Sequence, residues 1–75
     1  MNLKWQRERS SHYCYNDDNG RVLAELYEHT LTNHVTAWFI PLSDAQREAY
    51  GTWVSLEAGK KAVEAELEYR DEFNL

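Results

Sequence analysis

Tyr50-Gly51-Thr52-Trp53-Val54-Ser55-Leu56-Glu57-Ala58-Gly59-Lys60-Lys61-Ala62-Val63-Glu64 is the stretch that decides the fold. Thr52-Trp53-Val54 is β-branched and aromatic, as a strand prefers. Ser55 is an N-cap residue, and Glu57 follows in the first turn, where the helix dipole favours a carboxylate. Residues 56–70 are good helix formers. The stretch therefore predicts a strand that stops at a cap and continues as the chain's long helix, with everything before it supplying the sheet on which the helix lies.

At about 100° per residue, the helix sorts into faces. Lys60, Lys61, Glu57, Glu64, Glu68 and Asp71 form a polar side. Leu56, Val63 and Leu67 form one apolar stripe; Ala58, Ala62, Ala65 and Tyr69 form another. Two readings of the second stripe stand: the alanines are simply good helix formers, or they bury against a second subunit or a partner. Gly59 in a helix interior costs about 1 kcal/mol against alanine, which close approach of another backbone, sheet or partner, would explain. Glu66 and Arg70 stand four apart in the favourable order and can pair.

Working towards the N-terminus, segments 3–8, 11–16, 21–30 and 34–40 read as strands. Asp17-Asp18-Asn19-Gly20 contains the best turn signal, because Asn-Gly accepts the positive φ angles of a tight hairpin. Thr30 to Asn33 forms the next turn, and Pro41 ends the strand before it. Ser43-Asp44-Ala45-Gln46 has capping-box form, so residues 43–49 are read as one or two helical turns in preference to a single long strand. If Asn19-Gly20 closes a two-residue turn, Cys14 faces Glu25; if residues 29 and 34 flank the second turn, Tyr27 faces Thr36. Tyr13, Tyr15, Val22, Ala24, Leu26, Val35, Ala37 and Phe39 then share the core face. His12, Cys14, Leu23, Glu25, Tyr27, His29, His34, Thr36, Trp38 and Ile40 share the other. A slip of one residue would exchange the faces.

Composition narrows the function. Seventy-five residues make a single domain, 1–75, that buries about 60–65% of its unfolded surface. Cys14 is the only cysteine, so no disulfide can staple the chain, and a reducing cytoplasm is expected. No apolar run approaches the roughly 18 residues of a membrane span, and the first nine residues lack the apolar core of a signal peptide. The first ten residues carry a net +2 and the remaining 65 a net −7. An acidic body repels phosphates, so nucleic acid is not an expected partner.

Chemistry-bearing constellations are scarce. There is no glycine-rich phosphate loop and no dinucleotide fingerprint, so no cofactor is expected. His12-x-Cys14 with His29-x₄-His34 matches no compact zinc spacing, and no metal is assigned. Cys14 beside a histidine lacks the pocket that nucleophilic catalysis needs, and Asp17-Asp18 is explained by its turn. No enzyme activity is expected. The aromatic outer face instead reads as a protein-binding surface with Tyr27, His29, His34 and Trp38, tryptophan and tyrosine being enriched in binding hot spots. Glu57, Glu64, Glu68 and Asp71 on the helix form a second candidate patch.

The pattern Gly51-x-Trp53-x-Ser55-Leu56-Glu57-x-x-Lys60-x-Ala62-Val63-Glu64, after strands containing Trp5 and Tyr15, resembles small acidic phage and prophage accessory proteins. It is also similar in topology to the AP2-type DNA-binding domain, in which three strands precede a helix entered through Gly-x-Phe-x-Ser/Thr. The shared stretch is about a fifth of the chain. The first resemblance implies a binder of a host protein or complex, such as a polymerase, nuclease or defence assembly, whose basic groove the acidic helix would meet. The second implies sheet residues set into a major groove; here the outer face offers Trp38 but no arginine, with Glu25 in its middle. The expectation is an α+β fold: an antiparallel three- to four-stranded meander with one C-terminal helix packed on one face, assembled as a homodimer through Ala58, Ala62, Ala65 and Tyr69.

Overall fold

The computed structural model describes residues 1–41 and 46–73. Five strands run β1 (Leu3–Glu8), β2 (Ser11–Asn16), β3 (Arg21–Glu28), β4 (Val35–Phe39) and β5 (Glu48–Trp53), followed by α1 (Leu56–Phe73). The strands form one antiparallel sheet in sequence order, β1-β2-β3-β4-β5, with every neighbour joined by a hairpin or short connection. The α+β meander with a C-terminal helix is thus as expected, but the sheet has five strands rather than three or four. β5 is also longer than the extended Thr52-Trp53-Val54 read from the sequence, because it includes Glu48 and Ala49, which the capping-box reading gave to a short helix. They are strand residues facing Phe39 and Trp38, while Leu42 to Ala45 lie outside the described residues.

The helix starts where its cap predicts. The Ala58 backbone N–H donates to Ser55 Oγ at 3.1 Å, and the Gly59 N–H donates to the Ser55 carbonyl at 3.1 Å. Gly59 is buried, and a Cβ built there would lie 2.9 Å from Val35 Cγ2 and 3.1 Å from Leu26 Cδ2. The glycine is therefore the point of closest approach of helix to sheet, and the partner that explains it is the sheet. Val63 and Leu67 continue the same line into a core of Cys14, Ala24, Leu26, Val35, Ala37 and Phe39, with Leu3, Trp5, Leu23, Trp53 and Leu56 around it.

Register decides which residues reach that core. Between β3 and β4 it is as expected, with Tyr27 opposite Thr36 and the His29 N–H donating to the His34 carbonyl at 2.8 Å. Asn33 takes φ 61° to close this turn, a conformation asparagine tolerates better than most residues. Between β2 and β3 the expectation fails by one residue: Cys14 faces Ala24, not Glu25. Residues 17–20 form a four-residue loop with Asn16 opposite Arg21, and of that loop only Gly20 takes positive φ. The Asn16 and Asn19 side chains accept from the Asp18 and Arg21 backbone N–H groups at 3.0 and 2.9 Å, and these local bonds favour the longer loop. A bulge then interrupts the ladder between Cys14 and Tyr15.

The consequence is an exchange of faces in β2. His12 and Cys14 are buried under the helix, while Tyr13 and Tyr15 point to the opposite side. A second bulge, between Ala37 and Trp38, places Tyr50 against Phe39 and Trp53, with ring centroids 4.7 and 5.2 Å away. Arg70 lies over the Phe39 ring at 4.2 Å and donates to Glu48 Oε2 at 2.5 Å and Glu66 Oε2 at 2.8 Å, tying the last turns of α1 to β5.

Candidate functional site

Strand alternation places Tyr13, Tyr15, Val22, Glu25, Tyr27, Thr36 and Trp38 on the sheet face opposite α1, and no described element covers them. Tyr27 is 40% and Val22 37% exposed, and Tyr13, Tyr15 and Trp38 are half-buried. An open hollow of about 520 Å³ runs along Gln6, Glu8, Tyr13, Tyr15, Val22 and Ile40. A one-helix cover on a five-stranded sheet leaves this face aromatic and accessible, a composition typical of surfaces that other proteins bury.

Glu25 sits in the middle, between Tyr13 and Trp38 in the ladder, and is only 7% exposed. A carboxylate shielded to that extent needs partners. Ser11 Oγ donates to its Oε2 at 2.7 Å, and Arg47 Nη1 donates to its Oε1. Arg47 itself remains half-exposed, so the pair is neutralised from above while guanidinium N–H groups still face solvent. A polar row runs beside it: His29 Nε2 bonds Thr36 Oγ1 at 2.8 Å, Thr36 Oγ1 lies 3.4 Å from Thr52 Oγ1, and His29 meets Tyr27 edge-on at 5.1 Å.

The structure thus gathers Tyr27, His29 and Trp38 on one face and sets His34 opposite His29 at the base of the adjoining hairpin. Tyr13, Tyr15 and the Ser11–Glu25–Arg47 cluster also belong there. The tyrosines were assigned to the core by the slipped register, and the cluster joins positions 14 and 22 residues apart, for which the sequence carries no local signal.

The helix patch stands on the other side of the molecule, so a single flat partner surface meets one patch or the other. Glu57, Glu68 and Asp71 are exposed, with Glu57 3.6 Å from Lys61. Glu64 is half-buried and accepts the Trp5 indole N–H at 3.3 Å, with Lys60 Nζ 5.3 Å from the Trp5 ring centroid. Of the alanine stripe, Ala58 and Ala62 are half-buried, whereas Ala65 and Tyr69 are exposed.

The four metal-capable side chains expected on one face are divided by the sheet. His12 bonds Glu28 on the helix side, while His29 lies with Tyr27 on the other. Among the described residues no group of three or more His, Cys, Asp or Glu side chains is placed to hold a metal ion. Cys14 is fully buried, and burial, with a smaller push from the Glu64 charge, raises its thiol to about 12. It stays protonated at neutral pH, and thiolate chemistry is closed to it in the folded chain. No helix among the described residues is long and apolar enough to cross a membrane. Comparison with protein-family models, curated proteins and solved structures finds no match to this chain.

Proposed function

We propose that the protein is a non-catalytic protein-binding accessory module, a cytoplasmic modulator of the phage type that engages a host complex handling nucleic acid or defending against phage. The observation that carries the reading is the uncovered sheet face, where Tyr13, Tyr27 and Trp38 flank a neutralised Glu25–Arg47 pair and Tyr15 and Val22 extend the apolar surface. Rigid aromatic side chains supply large contact area at low entropic cost, and they sit on strands rather than loops, so little ordering is needed on binding. The burial and hydrogen bonding of Glu25 leave the centre of the face without an uncompensated charge that a partner would have to desolvate. The exposed Glu68 and Asp71 on the opposite side add acidic charge that repels phosphate, which favours a protein partner over nucleic acid.

The test is affinity capture from host lysate with the wild-type chain, Trp38→Ala, Tyr27→Ala and the helix variant Glu68→Lys/Asp71→Lys, each first shown to be folded by circular dichroism. A specific protein retained by wild type and by the helix variant, but weakened tenfold or more, on the order of a hot-spot loss, by either aromatic substitution, is the expected result. Salt-sensitive binding of DNA or RNA at low ionic strength, abolished by replacing Arg7 or Arg9, would instead make the chain a nucleic-acid-binding module.

A further inference from the structure

The two edges of the sheet are not alike. β5 carries a bulge at Tyr50 and a glycine at position 51, devices that twist an edge away from strange strands. β1 is six residues of regular ladder with no bulge and no proline, and among the described residues nothing pairs with its outer side. The direction of its free groups follows from one bond. The Asp17 N–H donates to the Asn2 carbonyl at 2.8 Å, so Asn2, Lys4, Gln6 and Glu8 turn their backbone groups towards β2. By alternation, Leu3, Trp5 and Arg7 turn theirs outward.

The side chains along this edge are self-complementary. Lys4 and Glu8 stand symmetrically about Gln6, as do Trp5 and Arg7. We propose that β1 is the dimerisation edge of this protein: two copies pair antiparallel through residues 4–8 about a two-fold axis at Gln6, joining two five-stranded sheets into one. In that register Trp5 and Arg7 of opposite copies exchange their outward backbone N–H and carbonyl groups. At the closer, non-hydrogen-bonded positions Lys4 meets the second copy's Glu8, Gln6 meets its equivalent, and Glu8 meets the second copy's Lys4. On the helix side each Arg7 guanidinium comes beside the other copy's Trp5; its present bond, Arg7 Nε to the Arg9 carbonyl at 2.9 Å, is exposed and readily exchanged. Charge selects this axis over the others open to the same backbone groups: an axis at Lys4 would set Lys4 against its equivalent, and one at Arg7 would set Glu8 against Gln6. An axis at Trp5 would set Lys4 against Gln6 and leave Glu8 opposite no cation. The interface is isologous and therefore closes at two copies. It also leaves the aromatic sheet face of both copies open, so it is independent of the function proposed above.

Sedimentation equilibrium of the full chain from micromolar to millimolar concentration tests the proposal. Wild type should show a reversible monomer–dimer equilibrium. Lys4→Glu or Glu8→Lys alone sets like charges opposite each other twice per dimer and should weaken association about tenfold, whereas Lys4→Glu/Glu8→Lys together should restore it. Amide exchange at Trp5 and Arg7 should slow as concentration rises, while Lys4 and Gln6, already bonded to β2, should change less. A monomer at every concentration overturns the proposal. So does a dimer indifferent to these charges, as pairing through Ala65 and Tyr69 on α1 would be, or growth beyond two copies, as β1-to-β5 stacking would give.

Discussion

Gly59 is where one missing methyl group sets the spacing between α1 and the sheet. In an exposed helix, alanine would be favoured there by about 1 kcal/mol. Here the added Cβ would stand 2.9 Å from Val35 Cγ2, and Val35 is 1% exposed with no room to retreat. Overpacking of a closed core costs roughly 1–3 kcal/mol. Gly59→Ala should therefore destabilise the protein by about 1–2 kcal/mol in urea denaturation. In a Val35→Ala background the same substitution should become neutral or stabilising, because the blocking methyl is gone. A Gly59→Ala variant more stable than wild type would show that the helix can lift without loss. Cys14 offers a second test at this scale. Its thiol is raised from about 9 to about 12 by burial first and the Glu64 charge second. The unfolded chain releases that proton at lower pH than the folded one, so the cysteine's contribution is intact below pH 9 and is lost as pH rises towards 12. Wild-type stability should fall more steeply over that window than Cys14→Ala stability, and a thiol reagent should label Cys14 only in the unfolded protein.

Among the elements, hairpins determine what could be read in advance. The turn from His29 to His34 was legible because its length and Asn33 agree with the alternation on both sides, and the positions of Tyr27 and Trp38 on the open face followed. The turn from Asn16 to Arg21 was not. Asn19-Gly20 signals a two-residue turn, but two asparagine side chains bond the backbone of a longer loop, and Leu23 is then taken up in a bulge. Hydropathy could not correct the error, because β2 offers a buriable pair on either face: His12 and Cys14, or Tyr13 and Tyr15. The helix cap and the Glu66–Arg70 pair were legible because they are local; Trp5–Glu64 and Glu25–Arg47 were not, because they span the fold. The first hairpin carries a testable strain. Arg9 takes φ 58° in the two-residue connection between Glu8 and Ser11, a region that costs a non-glycine residue about 1–2 kcal/mol. Arg9→Gly removes that cost at the expense of about 0.5–1 kcal/mol of chain entropy. It should raise stability by up to about 1 kcal/mol in urea denaturation, and Arg9→Val should lower it. Loss of stability in Arg9→Gly would mean that the arginine side chain holds this turn.

Across the whole molecule, stability is concentrated at one end of the sheet. The helix packs chiefly on β3, β4 and β5. It reaches β1 through Trp5, held by Glu64 and Lys60. Every strand pairs only with its sequence neighbours, so β1 can detach without breaking any other pairing. Its detachment would uncover His12 and Cys14 from one side but leave Leu26, Val35, Ala37, Val63 and Leu67 together. Elements with few buried apolar contacts open at a fraction of the global unfolding free energy. Native-state hydrogen exchange at low protein concentration should therefore find the β2-bonded amides of Lys4, Gln6 and Glu8 opening more easily than those of Leu26 and Ala37, by about 1–3 kcal/mol. Trp5→Phe removes the indole donor and should widen that gap by about 1 kcal/mol while leaving exchange in β3 and β4 unchanged. Equal protection of β1 and β3 in a sample shown to be monomeric would mean that the sheet unfolds only as a unit. The same measurement repeated at high concentration joins this asymmetry to the edge: the outward amides of Trp5 and Arg7, unbonded to β2 within one copy, are the ones whose protection has most to gain from a second.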